Sequence, residues 1–261
     1  DDPFSGAFAD ALGRDEIKNI GLDDVLSNIK KAKSDDNIKG IYLKGGMLNG
    51  GYASVKEIRD ALADFKKSGK FIVAYADSYT QKMYYLCSIA DKMYLNPQGM
   101  LEFQGIAANT MFLKNTLDKL GVDMQVVKVG TFKSAVEPYL NTKMSDANKQ
   151  QVTVFIGSIW NNLLNEISAS RKLQKDSLNK YADEMMTFQP TEKMLRYKMV
   201  DSLTYADGMD GVLKKLLKLD NDEEIQLITH SELINVPSSE KMEKEKIAVI
   251  YAVGGIDMGD D

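Results

Sequence analysis

Histidine and cysteine are almost missing from this chain: one of each, His230 and Cys87, in 261 residues. That scarcity excludes zinc fingers, a His-x-x-x-His metal helix and an internal disulfide. Any Ser-His or Cys-His chemistry would have to run through His230 alone. Basic residues are not in excess, with 33 Lys and Arg against 38 Asp and Glu for a net charge of −5. Nothing here neutralises a phosphate backbone, so nucleic acid is not expected as a partner. No apolar run approaches the roughly 18 residues of a membrane span, and no charged-then-apolar leader is present. The chain begins at Asp1 rather than Met and stops at Asp261, just after a strand-like run. We therefore read it as a piece of a longer protein, from which a leader or anchor could have been cut.

What is present is an ordinary globular composition, 44% apolar and 27% charged, enough for a proper core. Residues 1–19 read as an irregular lead-in. Leu22, Val25, Leu26, Ile29 and Ala32 then form a helical stripe, followed by a strand over Ile38–Leu43. A glycine turn, Gly45–Gly51, leads to a helix with Val55, Ile58, Ala61, Leu62 and Phe65 on one face, and then to a strand over Phe71–Ala76. Lys82–Ile89 reads as helix, Asp91–Leu95 as strand and Asn96-Pro-Gln-Gly99 as a turn. Leu113, Leu117 and Leu120 mark another helix, and Met124–Val129 another strand. This alternation predicts an α/β fold with a mainly parallel sheet. Ser145–Leu173 follows as one long helix whose stripe is Val152, Phe155, Ile156, Ile159, Trp160, Leu163 and Ile167. Thr191–Met199 and Met209–Leu217 are shorter helices, and Ile225–Ile228 reads as a strand. The polar stretch Pro237–Lys246 separates residues 1–240 from the start of a second unit at 241–261, where Ile247–Gly255 reads as a buried strand.

Most chemically suggestive residues have a plain reading. The Gly45–Gly51 turn lacks a Gly-Lys-Ser/Thr ending and Gly-x-Gly-x-x-Gly, so a strand-to-helix turn is simpler than a phosphate loop. Cys87 lies in an apolar, aromatic helix without cationic neighbours and reads as a small buried hydrophobe. His230 stands in a polar stretch and reads as a surface residue. The 14 methionines look like core filler, and the pairs Asp23-Asp24, Asp35-Asp36 and Glu223-Glu224 like solvated helix ends. Lys133, in Val127–Tyr139, is different. A lysine is a base only when neutral, and burial can lower its reference pKa of about 10.4 by up to ~3–5 units. Phe132, Ala135 and Val136 could supply apolar cover, and Ser134 or Thr131 could orient the amine. Against this, Lys133 and Glu137 would form an i, i+4 pair on a helix, which favours the charged amine. On spacing alone the surface pair is the simpler reading.

The stretch Val129-Gly-Thr-Phe-Lys-Ser-Ala-Val-Glu-Pro-Tyr139 resembles the lysine motif of the signal peptide peptidase A (protease IV) family in its long, two-domain form. Further matching pieces occur in the family's order: Asp36–Leu43, Ser68-Gly-Lys70, Tyr84-Tyr-Leu86 with Ala90-Asp-Lys92, Asn96–Gly99, Leu117–Leu120 and Met144-Ser145. The resemblance runs from about Leu22 to Val200. It implies a fold of the ClpP/crotonase-like superfamily with extra C-terminal helices. It also implies a serine peptidase with a Ser-Lys dyad and no cofactor or metal, which degrades signal peptides and other apolar peptides. Such enzymes are oligomers in the cell envelope, inner-membrane anchored with the domain facing the periplasm. In the long form the first half supplies the lysine and the second half the serine, so Lys133 is the expected general base. Where the second half carries its serine, this sequence has Gln81, which cannot attack a carbonyl. Ser134 adjoins Lys133 but would not face it on a helix. The chain alone is thus expected to be inactive. Two rival readings remain: an acyl-CoA hydratase or isomerase using glycine-turn amides as an oxyanion hole, and a non-catalytic oligomerisation module with Lys133 exposed, paired to Glu137 and far from any cleft.

Overall fold

A computed structural model describes residues 20–46 and 48–237. The first helix, α1 (Leu22–Ser34), follows the expected stripe, with Asp23 and Asp24 in its first turn and Lys31 and Lys33 in its last, each complementing the helix dipole. It packs on α2 (Tyr52–Lys66) across the connection formed by β1 (Gly40–Lys44). Two glycines in this unit are demanded by close approach. A Cβ on Gly40 would enter the Phe71 ring, and one on Gly45 would overlap the Ala76 side chain.

Strands β2 (Phe71–Tyr79), β3 (Lys92–Leu101) and β4 (Ser202–Leu203) join β1 in a parallel sheet of order β1-β2-β3-β4. Side chains alternate across β2. Ile72, Ala74 and Ala76 join the main core beneath α2 and α3 (Gln81–Cys87). Val73 and Tyr75 point to the other face, where Met209 and Leu213 of α9 (Gly208–Leu217) cover them. Both faces are therefore dry, as the apolar run in β2 requires. The α/β class and the parallel sheet expected from the sequence are found.

Several expected boundaries shift. Asn96-Pro-Gln-Gly99 does not end β3: pairing slips between Ala76–Leu95 and Ser78–Met100 and then resumes. Turn chemistry survives inside the strand. Asn96 donates from Nδ2 to Asp77 Oδ1 at 2.7 Å and accepts from the Gln98 N–H at 2.9 Å. Met124–Val129 forms no strand and pairs with none among the described residues, and Val127 and Val129 are 99% and 85% exposed. The sequence has strand character, but no strand of the sheet pairs with it. Ile225–Ile228 is likewise a loop rather than a strand, held mainly by Ile225 against the second core cluster. The helix expected around Leu117 shrinks to the exposed α4 (Lys114–Lys119).

The long helix is α6 (Asp146–Arg171), and its two halves differ. Leu163, Leu164 and Ile167 are core, whereas Val154 and Phe155 are each 66% exposed. The expected stripe is therefore buried only in its C-terminal half. That half is fixed by Arg59, which is 3% exposed and donates to Glu166 Oε2 (3.1 Å), Tyr85 O (2.7 Å), Glu166 O (3.1 Å) and Ser170 Oγ (2.8 Å). Then come α7 (Lys175–Asp183), a 3-10 turn at Met186–Phe188, and α8 (Thr191–Arg196). Last is α10 (His230–Ile234), strapped to α1: Asn28 Nδ2 donates to His230 O and Nδ1, and Lys31 Nζ to Leu233 O and Ile234 O. His230 is thus half-buried in a clasp rather than a plain surface residue. The lead-in and the strand expected over Ile247–Gly255 lie outside the described residues. Among the described residues, no helix is long and apolar enough to cross a membrane.

Candidate active site

Between β3 and α6 the chain leaves the sheet as an arm, residues 106–136, which carries Lys133. Gly130, at φ +105°, turns the chain, and the Lys133 N–H closes the turn on Gly130 O at 3.3 Å. Lys133 precedes the short helix α5 (Glu137–Leu140), with Pro138 in its first turn, so Lys133 and Glu137 do not share a helix. The i, i+4 pair weighed from the sequence is absent. Glu137 turns inward instead and is 2% exposed. Its carboxylate accepts from Ser145 Oγ (2.5 Å), the Ser145 N–H (3.1 Å) and Asn148 Nδ2 (2.9 Å). The Ser145 hydroxyl bond leads these in holding the Glu137 carboxyl below its ordinary pKa. Ser145 also N-caps α6, accepting from the Asn148 N–H at 3.2 Å. One carboxylate thereby ties the end of the arm to the start of α6.

Lys133 is exposed, and its amine has no hydrogen-bond or ion-pair partner among the described residues. Expected apolar cover is not supplied here, since Phe132 is itself 54% exposed. The residues flanking Lys133, Phe132 and Ser134, line an open cleft of about 730 Å³ against Asn148, Gln151, Val152 and Phe155 of α6. An exposed lysine beside an apolar cleft, unpaired with Glu137, departs from the non-catalytic module on two of its three expected marks.

Gln81 stands at the first position of α3, N-capped by Thr80, and is 6% exposed. Its Oε1 accepts from the Gln104 and Gly105 N–H groups, each at 3.0 Å. Its Nε2 donates to Gly105 O (2.9 Å) and Tyr52 Oη (3.0 Å). Glutamine, not a nucleophile, occupies this position, and Gln81's hydrogen bonds go to Glu102, Gln104, Gly105 and Tyr52 rather than to Lys133. The Gly45 N–H, one of the amides the acyl-CoA reading would use, is already bonded to Tyr75 O at 2.6 Å. Cys87 is fully buried, and burial pushes its thiol up to about 12, as a buried hydrophobe should behave. Among the described residues no cluster of His, Cys, Asp and Glu could hold a metal. The anchoring roles of Glu137 and Gln81 were not visible in the sequence; the only local signal was Ser145 followed three residues later by Asn148.

Comparison with known proteins gives the family of the chain. The chain is 34% identical over 229 residues to protease 4 of Salmonella typhi, covering 82% of this chain and 37% of the relative. It is 32% identical to protease 4 of Haemophilus influenzae over 226 residues, 86% of this chain and 36% of that protein. With the chloroplastic serine protease SPPA of Arabidopsis thaliana it shares 26% identity over 254 residues, 96% of this chain and 37% of the relative. The chain thus spans little more than a third of the length of these relatives. The model of peptidase family S49 matches residues 64–220, which take in β2, β3, the arm and all of α6, and on that match the chain belongs to peptidase family S49.

Proposed function

We propose that this chain is the lysine-bearing half of a serine peptidase that works by a Ser-Lys dyad. Lys133 is the general base, and the nucleophilic serine comes from the remainder of a longer protein, whose second half opens within residues 241–261. One observation carries this reading: the lysine of an S49-type motif stands on an arm beside a largely apolar cleft, and its amine has no hydrogen-bond or ion-pair partner among the described residues. In the reaction, neutral Lys133 takes the proton of the serine hydroxyl as its oxygen attacks the scissile carbonyl, and passes that proton to the leaving amine. Water then releases the acyl-enzyme by the same base. A lysine open to water is protonated at neutral pH. The reading therefore requires the serine-bearing half, or a further copy in an oligomer, to cover the arm.

Apolar peptides suit the cleft walls, and a relative from Enterococcus faecium, 23% identical, bears the name putative signal peptide peptidase SppA. Signal peptides are accordingly the proposed substrates, met in the cell envelope by an inner-membrane-anchored protein whose domain faces the periplasm. The test is Lys133→Ala in the full-length protein, assayed on a fluorogenic apolar peptide. Activity should fall at least about 10³-fold, as for other triad and dyad members. The present chain alone should be inactive. Undiminished hydrolysis after Lys133→Ala would remove the assignment.

A further inference from the structure

We infer that Gln81 is a positioning residue, whose carboxamide fixes the root of the arm that carries Lys133. The inference rests on the dyad reading above but concerns a different part of the molecule. A glutamine side chain offers two donor hydrogens and two acceptor lone pairs, and Gln81 uses all four on three residues, Gln104, Gly105 and Tyr52. Three of the bonds go to the backbone of Gln104 and Gly105, and the fourth to Tyr52 Oη. Two successive main-chain N–H groups converging on one oxygen form a nest of the kind that binds anions. Here the protein's own amide oxygen fills it. Gly105 has φ +92°, so the chain turns sharply where it is gripped.

The grip marks a boundary. Just before it, the Glu102 N–H bonds to Tyr79 O at 2.8 Å, continuing the end of the sheet. The Glu102 carboxylate also accepts from the Gln81 N–H at 3.2 Å and from Gln104 Nε2 at 2.9 Å. Beyond Gly105 the backbone makes no hydrogen bond among the described residues until the Leu113 N–H reaches Pro138 O, which ties the arm to its own far end. Among the described residues, hydrogen bonds tie the arm to the body at Gln81, at its root, and at Glu137, at its end. Rigid α3, buried in the main core, sets where the arm begins. A shift of about 1 Å in a reacting group can cost 10²-fold in rate, so the root is a lever on Lys133.

The test uses full-length protein with Gln81→Ala and Gln81→Glu. The alanine removes all four bonds. The glutamate keeps size and the two accepted bonds but sets a carboxylate oxygen against Gly105 O and loses the donors. Turnover should fall about 10- to 100-fold for the alanine and less for the glutamate, with KM changed less than kcat. The pH–rate profile should shift, because the base no longer sits where the serine expects it. Hydrogen exchange at the Gln104 and Gly105 amides, which donate to Gln81 Oε1, should quicken in the alanine variant while the β2 and β3 amides stay protected. A merely stabilising role would lower the amount of active enzyme and leave kcat per active site and the pH profile alone. Should the alanine variant fail to fold, the glutamate variant decides. Wild-type kcat and pH profile in the folded variants, with Lys133→Ala inactive, overturn the Gln81 inference by itself. Full activity of Lys133→Ala overturns the dyad reading and this role with it.

Discussion

Replacing Glu166 by alanine should destabilise the fold by an amount that the surroundings of Arg59 make calculable. The Arg59 side chain is 4% exposed, and its carboxylate partner, Glu166, is 22% exposed and also receives the Tyr85 hydroxyl and the Lys56 amine. Burial opposes the charge on Arg59, and burial followed by the Glu166 bond raises the Tyr85 phenol above its ordinary pKa. Breaking a buried ion pair from one side costs about 3–5 kcal/mol. Arg59 keeps the Tyr85 and Glu166 carbonyls and the Ser170 hydroxyl after the change, so the lower end, about 3 kcal/mol, applies. For a domain of this size that is a drop of roughly 6–12 °C in Tm. Urea denaturation followed by circular dichroism, with thermal melts alongside, gives the number. Glu166→Gln keeps an acceptor oxygen and should lose less. A loss below about 1 kcal/mol for the alanine, the level of a surface pair, would mean that the network does not pin α6 to α2 and α3.

Acidification should release the far end of the arm before it unfolds the core. The folded pKa of Glu137 lies below its ordinary value, so its anchoring is complete above the ordinary range near ~4.3 and disappears as pH falls through the lower, folded value. Exchange rates of the Ser145 and Asn148 amides, followed from about pH 6 downward, should rise only in that acid range, and Glu137→Gln should flatten the curve; loosening already near neutrality would contradict the assignment. Cys87 should resist a water-soluble thiol reagent in the native protein and react stoichiometrically in denaturant, since the thiol is fully buried and pushed up to about 12. Rapid native labelling would show that the core around α3 opens.

What the sequence disclosed follows from the range of the interactions involved. Periodic apolar stripes are local, and α1, α2 and β2 stand where Leu22–Ala32, Val55–Phe65 and Phe71–Ala76 placed them. Cys87 is buried, as its apolar neighbours required. Alternating apolar residues report strand propensity but not whether a partner strand takes them up, and none of the sheet's strands pairs with Met124–Val129. The two-residue β4 is too short to leave a pattern, being defined only by its pairing with Tyr94 and Leu95. The Lys133–Glu137 pair assumed one continuous helix, whereas α5 begins only at Glu137 itself. The Gln81 clasp binds main-chain groups more than 20 residues away. Backbone amides look alike in every sequence, so no side-chain pattern could reveal it.

The exposed arm poses a physical problem that the proposed function answers. Val127, Val129, Phe132, Val154 and Phe155 are all more than half exposed, along the arm and the free half of α6. Full burial of such side chains is worth about 1.5–3 kcal/mol each, so covering what they now expose is worth roughly 5–10 kcal/mol. Holding any lysine about three units below its reference pKa, as a base near neutral pH must be, takes ~4 kcal/mol. The two quantities are of similar size. Under the proposed reading, contact with a second body over this surface is thus large enough to remove water from the amine, which the described residues leave exposed. If the proposed dyad holds, the two anchors matter for the same reason: an arm held at Gln81 and Glu137 presents its apolar residues in one arrangement, so a cover sheltering Lys133 would also fix where the serine arrives.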